Sequence, residues 1–292
     1  MNLPELPEQL ARAFPKRPPD LHKYAAGTVT VVGGSAHFLH APVLAGLGAR
    51  AAGAGLVQLV VPDASRLATG MLLPEATFTK QTPACVPPKA DVTAIGMGLG
   101  VSQNSEMLLS RLLSGSRGRF VLDADALTLL ANWYARKPGA LPVGEGQALV
   151  LTPHAGEAAR LLACTPDDIQ RDRLGAARRI VARYRSVVVL KGPRTLVAAP
   201  GRDDVFTCEA GNPFMAVGGM GDLLSGMLAA RWAYLAKNAD GDAFLAAASA
   251  VWLHAAASDA LVAADPPGDP SVANTARAAA SLRVALERTA AR

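Results

Sequence analysis

Six short runs in this 292-residue chain, Thr28–Val32, Leu56–Val61, Val92–Ile95, 120–122, Ala148–Leu151 and Val187–Leu190, are apolar or β-branched almost throughout. A strand wetted on one face alternates apolar with polar residues, so runs like these need cover on both faces. A parallel sheet between two layers of helices supplies that cover. Helix-like stretches at 42–52, 105–113, 124–135, 156–163 and 166–184 lie between the runs and complete an alternating pattern. The opening reads as strand, Gly33-Gly34 loop, helix with Pro42 in its first turn, then strand again, a β-α-β unit with a parallel pair. The runs at 195–199 and 205–208 are close enough for a hairpin or edge pair. From Gly219 onward the pattern is helical, with breaks near 237–241 and 265–269. The expected fold is one α/β domain over 1–292, a doubly wound, mostly parallel sheet with helices on both faces, whose first residues, 1–24, form a proline-rich lead. In such sheets ligands gather at the carboxyl ends of the strands.

Half of the residues are apolar, enough for a large core. Cys85, Cys164 and Cys208 lie far apart, which argues against a disulfide framework or zinc site and fits a reducing cytosol. The first residues carry acids and prolines where an export signal needs a basic end and an apolar run, so a cytoplasmic location is expected. The stretch 243–264 is long enough for a bilayer, but it is alanine-rich and holds Ser249, His254, Ser258 and Asp259; a buried helix is expected and no membrane partner. The net charge of +5 suits an anionic substrate. Charge concentrates only at Arg171, Arg173, Arg178, Arg179, Arg183 and Arg185, with no aromatic-rich reading motif, which reads as a solvated helix face and not as a nucleic-acid surface.

Three polar clusters follow three of the predicted strands. In GNPFMAVGGMGDLLSGML, 211–228, a loop with Gly218, Gly219 and Gly221 runs into a helix whose free N–H groups suit a phosphate, and Asp222 sits in the first turn. Alone, Asp222 could merely complement the helix dipole, and that position is expected to hold its carboxyl pKa low. Val187–Leu190 ends in Lys191-Gly192-Pro193-Arg194-Thr195, and Ala148–Leu151 ends in Thr152-Pro153-His154-Ala155-Gly156-Glu157. Taken singly, His154 is a loop cap, Glu157 a helix opener and Lys191 a solvated lysine. A P-loop motif is missing, and Gly96-Met97-Gly98-Leu99-Gly100 lacks the third glycine spacing of the dinucleotide fingerprint, leaving it as a loop that a ligand can approach closely.

The segments HKYAAGTVTVVGGS, DVTAIGMGLG, VLDADAL, LTPHAGEAARLL, VVLKGPRTLV and GNPFMAVGGMGDLLSGML resemble, in family order from His22 to about Ala230, the ADP- or ATP-dependent NAD(P)H-hydrate dehydratases. The resemblance implies a ribokinase-like fold and metabolite repair: a hydroxyl on hydrated NADH or NADPH is phosphorylated and phosphate is eliminated. It makes Asp222 the base toward that hydroxyl. It places Ala41, Gly98 or Gly100, His154 and Asp222 against the hydrated nicotinamide, with His154 orienting the substrate. Lys191, Gly192, Pro193, Arg194, Thr195, Gly219 and Gly221 would hold the adenine nucleotide, and Glu157 is the candidate for the Mg²⁺ shell, through water. ADP is the expected donor and a homotetramer the expected assembly. The epimerase region fused to many relatives is not in this sequence, so pairing with a separate epimerase is expected. His40, Met97, Ala155, Phe214 and the Pro193-Arg194 pair depart from the family's usual residues, which bears on loop shape and fine preference. The rival readings are a small-molecule kinase of hydroxymethylpyrimidine or thiazole type, and a nucleotide sensor without turnover, which gives Asp222 no task.

Overall fold

The chain alternates strands and helices as the apolar runs dictate. The strands are β1 (Thr28–Val32), β2 (Leu56–Val61), β3 (Thr77–Lys80), β4 (Val92–Ile95), β5 (Arg119–Leu122), β6 (Ala148–Leu151), β7 (Val187–Leu190), β8 (Leu196–Ala198) and β9 (Phe206–Thr207). The helices are α1 (Ala41–Ala51), α2 (Arg66–Leu72), α3 (Gln103–Ser114), α4 (Asp125–Arg136), α5 (Ala155–Leu162), α6 (Pro166–Arg171), α7 (Arg173–Tyr184), α8 (Met220–Asn238), α9 (Ala243–Val262) and α10 (Val272–Thr289). This computed structural model describes residues 4–85, 87–115 and 118–290, so the first three residues of the expected lead lie outside the described residues.

The strands form one sheet in the order β3-β2-β1-β4-β5-β6-β7-β8-β9. Neighbours from β3 to β7 pair in parallel, and β8 and β9 close the edge antiparallel. Strand order reverses between β1 and β4, which opens a crevice at their carboxyl ends. Both sheet faces are apolar: Val187 and Val189 join the core under α1, α8, α9 and α10, whereas Val188 and Leu190 join the core under α3, α4, α5 and α7. That two-sided burial is the physical reason the strand sequences do not alternate.

The helix carrying Asp222 is held tightly. α1 crosses α8 at small residues, with Gly48 packed so close that a Cβ there would stand 2.0 Å from Leu223 O, and Gly226 so close that one would stand 1.7 Å from Ala45 O. Either glycine replaced by alanine would push the helices apart.

Several elements differ from the sequence expectation. The stretch 166–184 is two helices, α6 and α7, because Asp172 leaves helical geometry and its side chain accepts from Gly175 N at 2.8 Å as an N-cap. The α2 and β3 elements had no sequence signal: α2 exposes Leu67, Met71 and Leu72, and β3 is a short, half-exposed edge strand. The lead is part of the core, since a 3-10 turn at Glu8–Ala13 buries Leu10, Ala13 and Phe14, and Phe14 meets Trp252 edge-on at 6.1 Å. The arginine face of α7 is only partly solvated: Arg183 donates to Leu161 O, and Arg173 is half-buried. By length and composition α9 could cross a membrane, yet every residue from Phe244 to Ser258 is buried within the fold. Cys85, Cys164 and Cys208 are unpaired.

Candidate active site

The carboxyl ends of β5, β6 and β7 bring charged groups to one place. Asp123, just past β5, is 1 % exposed and accepts from Lys191 Nζ at 2.7 Å, Ser225 Oγ at 2.6 Å and Ala124 N at 2.9 Å. Ala124 takes φ 49° and ψ −117°, backbone strain of the kind that persists where surrounding contacts over-determine a turn. Lys191, just past β7, donates its backbone N–H to Pro153 O at 2.8 Å, which ties the β6 loop to the β7 end. Its ammonium also lies 3.8 Å from Glu157 Oε2.

The β6 loop opens α5 through a capping box. His154 Nδ1 accepts from Gly156 N at 3.0 Å and Glu157 N at 3.3 Å, while Glu157 Oε2 accepts from His154 N at 2.8 Å. With Nδ1 occupied as an acceptor, the neutral imidazole carries its proton on Nε2, 3.5 Å from Glu157 Oε1. The cap and ligand readings of His154 are therefore compatible: one ring edge fixes the helix, and the side chain is still 61 % exposed.

The fourth contribution comes from the first turns of α8. A Cβ on Gly221 would stand 3.4 Å from Lys191 Nζ, and Ser225, one turn on, reaches Asp123, so residues 221 and 225 share the face turned to the cluster. Asp222 is half-buried beside them. Its pKa is pushed up to about 7, first by burial and then by Asp123, with Lys191 pulling down and Glu157 and Asp125 adding to the rise. This overturns the expectation of a low value: the helix dipole is outweighed by burial and by a ring of like charge. Burial also raises the Glu157 pKa against the pull of Lys191. For Lys191, burial alone lowers the pKa, but Asp123, Glu157 and Asp222 together push it up. Three carboxylates thus share one ammonium.

The remaining sequence-derived residues fall around this cluster. Gly98 faces Ala41 and Phe38; a Cβ on Gly98 would stand 3.2 Å from Ala41 Cβ and 2.5 Å from Phe38 Cβ. Gly100 N donates to Asp125 Oδ2 at 2.7 Å, which links the β4 loop to an acid whose charge Asp222 feels. In the 191–195 turn, Thr195 Oγ1 donates to Gly192 O at 2.9 Å. Arg194 occupies the left-handed region at φ 53°, where glycine is favoured, and its exposed side chain pairs with Glu209 at 2.5 Å. Pro193 is exposed, and Gly219 packs against Leu44 and Val272 instead of the charged cluster. The loop before α8 is pinned by α9, with Gly211 N and Asn212 Nδ2 both donating to Asp259 at 2.7 Å; Phe214 stands exposed on it.

Sequence reasoning missed Asp123, Asp125 and Ser225. A signal was present: Asp123 and Asp125 directly follow an apolar run, in the same place as the clusters that were recognised. Among the described residues, no group of three or more His, Cys, Asp or Glu is placed to hold a metal ion directly. The hard oxygen donors and the surplus negative charge suit Mg²⁺ that keeps much of its water.

Comparison with known proteins sets this geometry in a family. The NAD(P)H-hydrate dehydratase family matches residues 29–275. An ADP-dependent (S)-NAD(P)H-hydrate dehydratase of Neisseria meningitidis is 37 % identical over 252 residues, covering 85 % of this chain and 81 % of that protein. A bifunctional NAD(P)H-hydrate repair enzyme of Gloeobacter violaceus is 37 % identical over 271 residues, covering 88 % of this chain and 50 % of that protein. The chain spans about half the length of the bifunctional relatives it matches. Among solved structures, an ADP/ATP-dependent NAD(P)H-hydrate dehydratase of Bacillus subtilis, co-crystallised with ATP/Mg²⁺, superimposes with a TM-score of 0.82 at 26 % identity over 98 % of this chain and 99 % of that one. A ribokinase-like superfamily protein of Enterococcus faecalis gives 0.80 at 26 % identity, over 96 % of this chain and 95 % of that one. The fold is ribokinase-like.

Proposed function

The chain belongs to the NAD(P)H-hydrate dehydratase family, and on that premise we propose that it uses ADP to turn hydrated NADH or NADPH back into the reduced cofactor. The observation that carries the reading is Asp222, a carboxylate at the start of α8 whose pKa is pushed up to about 7 by burial and by neighbouring acids, within the electrostatic reach of Lys191, Asp123 and Glu157. A base poised near working pH is what proton removal from an alcohol asks for.

The chemistry follows from the residues. The ring hydroxyl of the hydrate is a poor leaving group. Asp222 accepts its proton as the oxygen takes the β-phosphoryl group of ADP, giving AMP and a phosphate ester. The C–O bond then breaks with its electrons on phosphate, the ring nitrogen supplies a pair, and loss of a proton from the neighbouring carbon restores the double bond. Lys191 and the free N–H groups at the start of α8 neutralise charge on the transferring group. Ala41, Gly98 or Gly100 and His154 hold the nicotinamide half, and the 191–195 turn with Gly219 and Gly221 holds the nucleotide. Glu157 would hold Mg²⁺, which would supply further charge neutralisation when bound.

Three finer statements belong to the same proposal. The protein acts in the cytoplasm, in keeping with three unpaired cysteines. It assembles as a homotetramer. It works beside an epimerase that converts the other hydrate epimer, as its likeness to half of longer bifunctional repair enzymes supports.

The test is to mix the protein with hydrated NADH, Mg²⁺ and either ADP or ATP. Reduced-nicotinamide absorbance should return with nucleotide, faster with ADP. Equal recovery without nucleotide would contradict the phosphorylation step, and a stable phosphorylated product would assign the chain to the small-molecule kinases.

A further inference from the structure

Gly192 takes φ +142°, open to glycine and strained for other residues, and the space beside it is filled. A Cβ there would stand 2.9 Å from Nη1 of Arg173 and 3.2 Å from its Nη2. Arg173 opens α7 and reaches across to the end of β7, where Nη2 donates to Leu190 O at 3.1 Å and Lys191 O at 3.5 Å. The same guanidinium therefore braces both residues that lead into the 191–195 turn. Of the six arginines between 171 and 185, Arg171 pairs with Asp168 and Arg179 with Asp172. Arg173 is half-buried, and among the described residues no carboxylate pairs with it; its one side-chain partner is Gln170 Oε1 at 3.4 Å. Burial lowers its pKa. The positive charge of Lys191 is already shared among Asp123, Glu157 and Asp222, so it meets the needs of a bound phosphate only in part. A half-buried cation without a counter-ion, beside a turn of exposed backbone, awaits an anion.

We propose that Arg173 is a positioning residue for the nucleotide: it fixes the 191–195 turn and leaves a positive charge behind it that favours a diphosphate over the bare nucleoside. This rests on the assignment of that turn to the nucleotide in the proposed function. The experiment compares the wild-type protein with Arg173→Ala and Arg173→Lys, reading ADP and adenosine affinity by calorimetry with Mg²⁺ present, and KM for ADP against kcat. Arg173→Ala should weaken ADP about tenfold and raise its KM in step, with kcat and adenosine affinity nearly unchanged; Arg173→Lys should recover part of the loss. If Arg173→Ala does not fold, Arg173→Lys carries the test with about a threefold loss for ADP alone. ADP affinity unchanged in a folded variant, or an equal loss for adenosine, would overturn the inference while leaving the proposed function standing. A wild-type protein that regenerates reduced cofactor without binding ADP would overturn both.

Discussion

Two buried charge clusters lie along the same helix, and they are near mirror images. At the start of α8, Lys191 stands among Asp123, Glu157 and Asp222. Further along, Arg231 helps to surround Glu287, which accepts from Arg17 at 2.7 Å, Arg231 at 2.9 Å and Arg283 at 2.5 Å. The rear cluster is closed. Its surplus positive charge goes to backbone carbonyls, Arg17 to Gly53, Arg283 to Ala51 and Arg231 to Ala13, and to the rings of Phe14 and Tyr234. Among the described residues, the buried Arg231 Nε there has no hydrogen-bond partner. The front cluster is open: among the described residues nothing donates a hydrogen bond to the Asp222 carboxylate, and burial, reinforced by the neighbouring negative charge, raises the pKa values of Asp222 and Glu157. Surplus charge that the protein itself satisfies holds the N-terminal segment to the core; surplus charge left unsatisfied marks the place where a substrate or an ion completes the structure.

The contrast is broken most strongly at Asp222. Asp222→Asn should lower turnover by about 10² to 10⁴ while the protein stays folded, since removal of a positioned general base costs that much. Steady-state kinetics beside a thermal melt check both halves. Glu287→Ala should do the opposite, destabilising the fold by about 3–5 kcal/mol because three buried or half-buried arginines lose their shared counter-charge. Denaturant unfolding measures the loss, and a cost under about 1 kcal/mol would show that the rear cluster is not what anchors residues 8–17.

The sheet was legible because two-sided burial writes itself into each strand. The clusters were not, because Lys191 meets Asp123 across 68 residues and Ser225 meets it across 102. Lys191, Glu157, His154 and Asp222 could be picked out as members, but the proton affinity of Asp222 depends on their convergence and no local pattern carries it. Asp172 shows a smaller failure of the same kind: its own side chain ends one helix and starts the next, where composition alone reads a single helix. Arg173 was grouped with solvated neighbours because its partners are backbone atoms of a strand it does not adjoin in sequence.

A third prediction sharpens the comparison through pH. The Asp222 pKa rises from an ordinary 3.8 to about 7 on folding, so the folded state holds that proton more tightly. Its contribution to stability is full below about pH 4 and is lost as pH rises through about 7. Asp222→Asn removes the penalty of a buried charge, so the variant should be more stable than wild type above pH 7 and should lose less stability between pH 5 and 8, as melts across about that range would show. A variant less stable than wild type at high pH would mean that the front cluster is closed like the rear one. The smallest effect is expected at His154: His154→Ala should weaken hydrate binding by roughly two- to tenfold and cost about 1 kcal/mol of stability through the lost cap, with turnover at saturation nearly unchanged. Saturation kinetics separate these, and a fall in turnover as deep as that of Asp222→Asn would make His154 a proton carrier.

The account stands on an Asp222 carboxylate poised to take a proton, and the pH dependence of ADP-supported cofactor regeneration at saturating substrates reads that directly. Turnover should climb with pH through a midpoint near 7 as Asp222 loses its proton and should then level off. A rate that is flat from about pH 6 to about pH 9 would contradict Asp222 as the base.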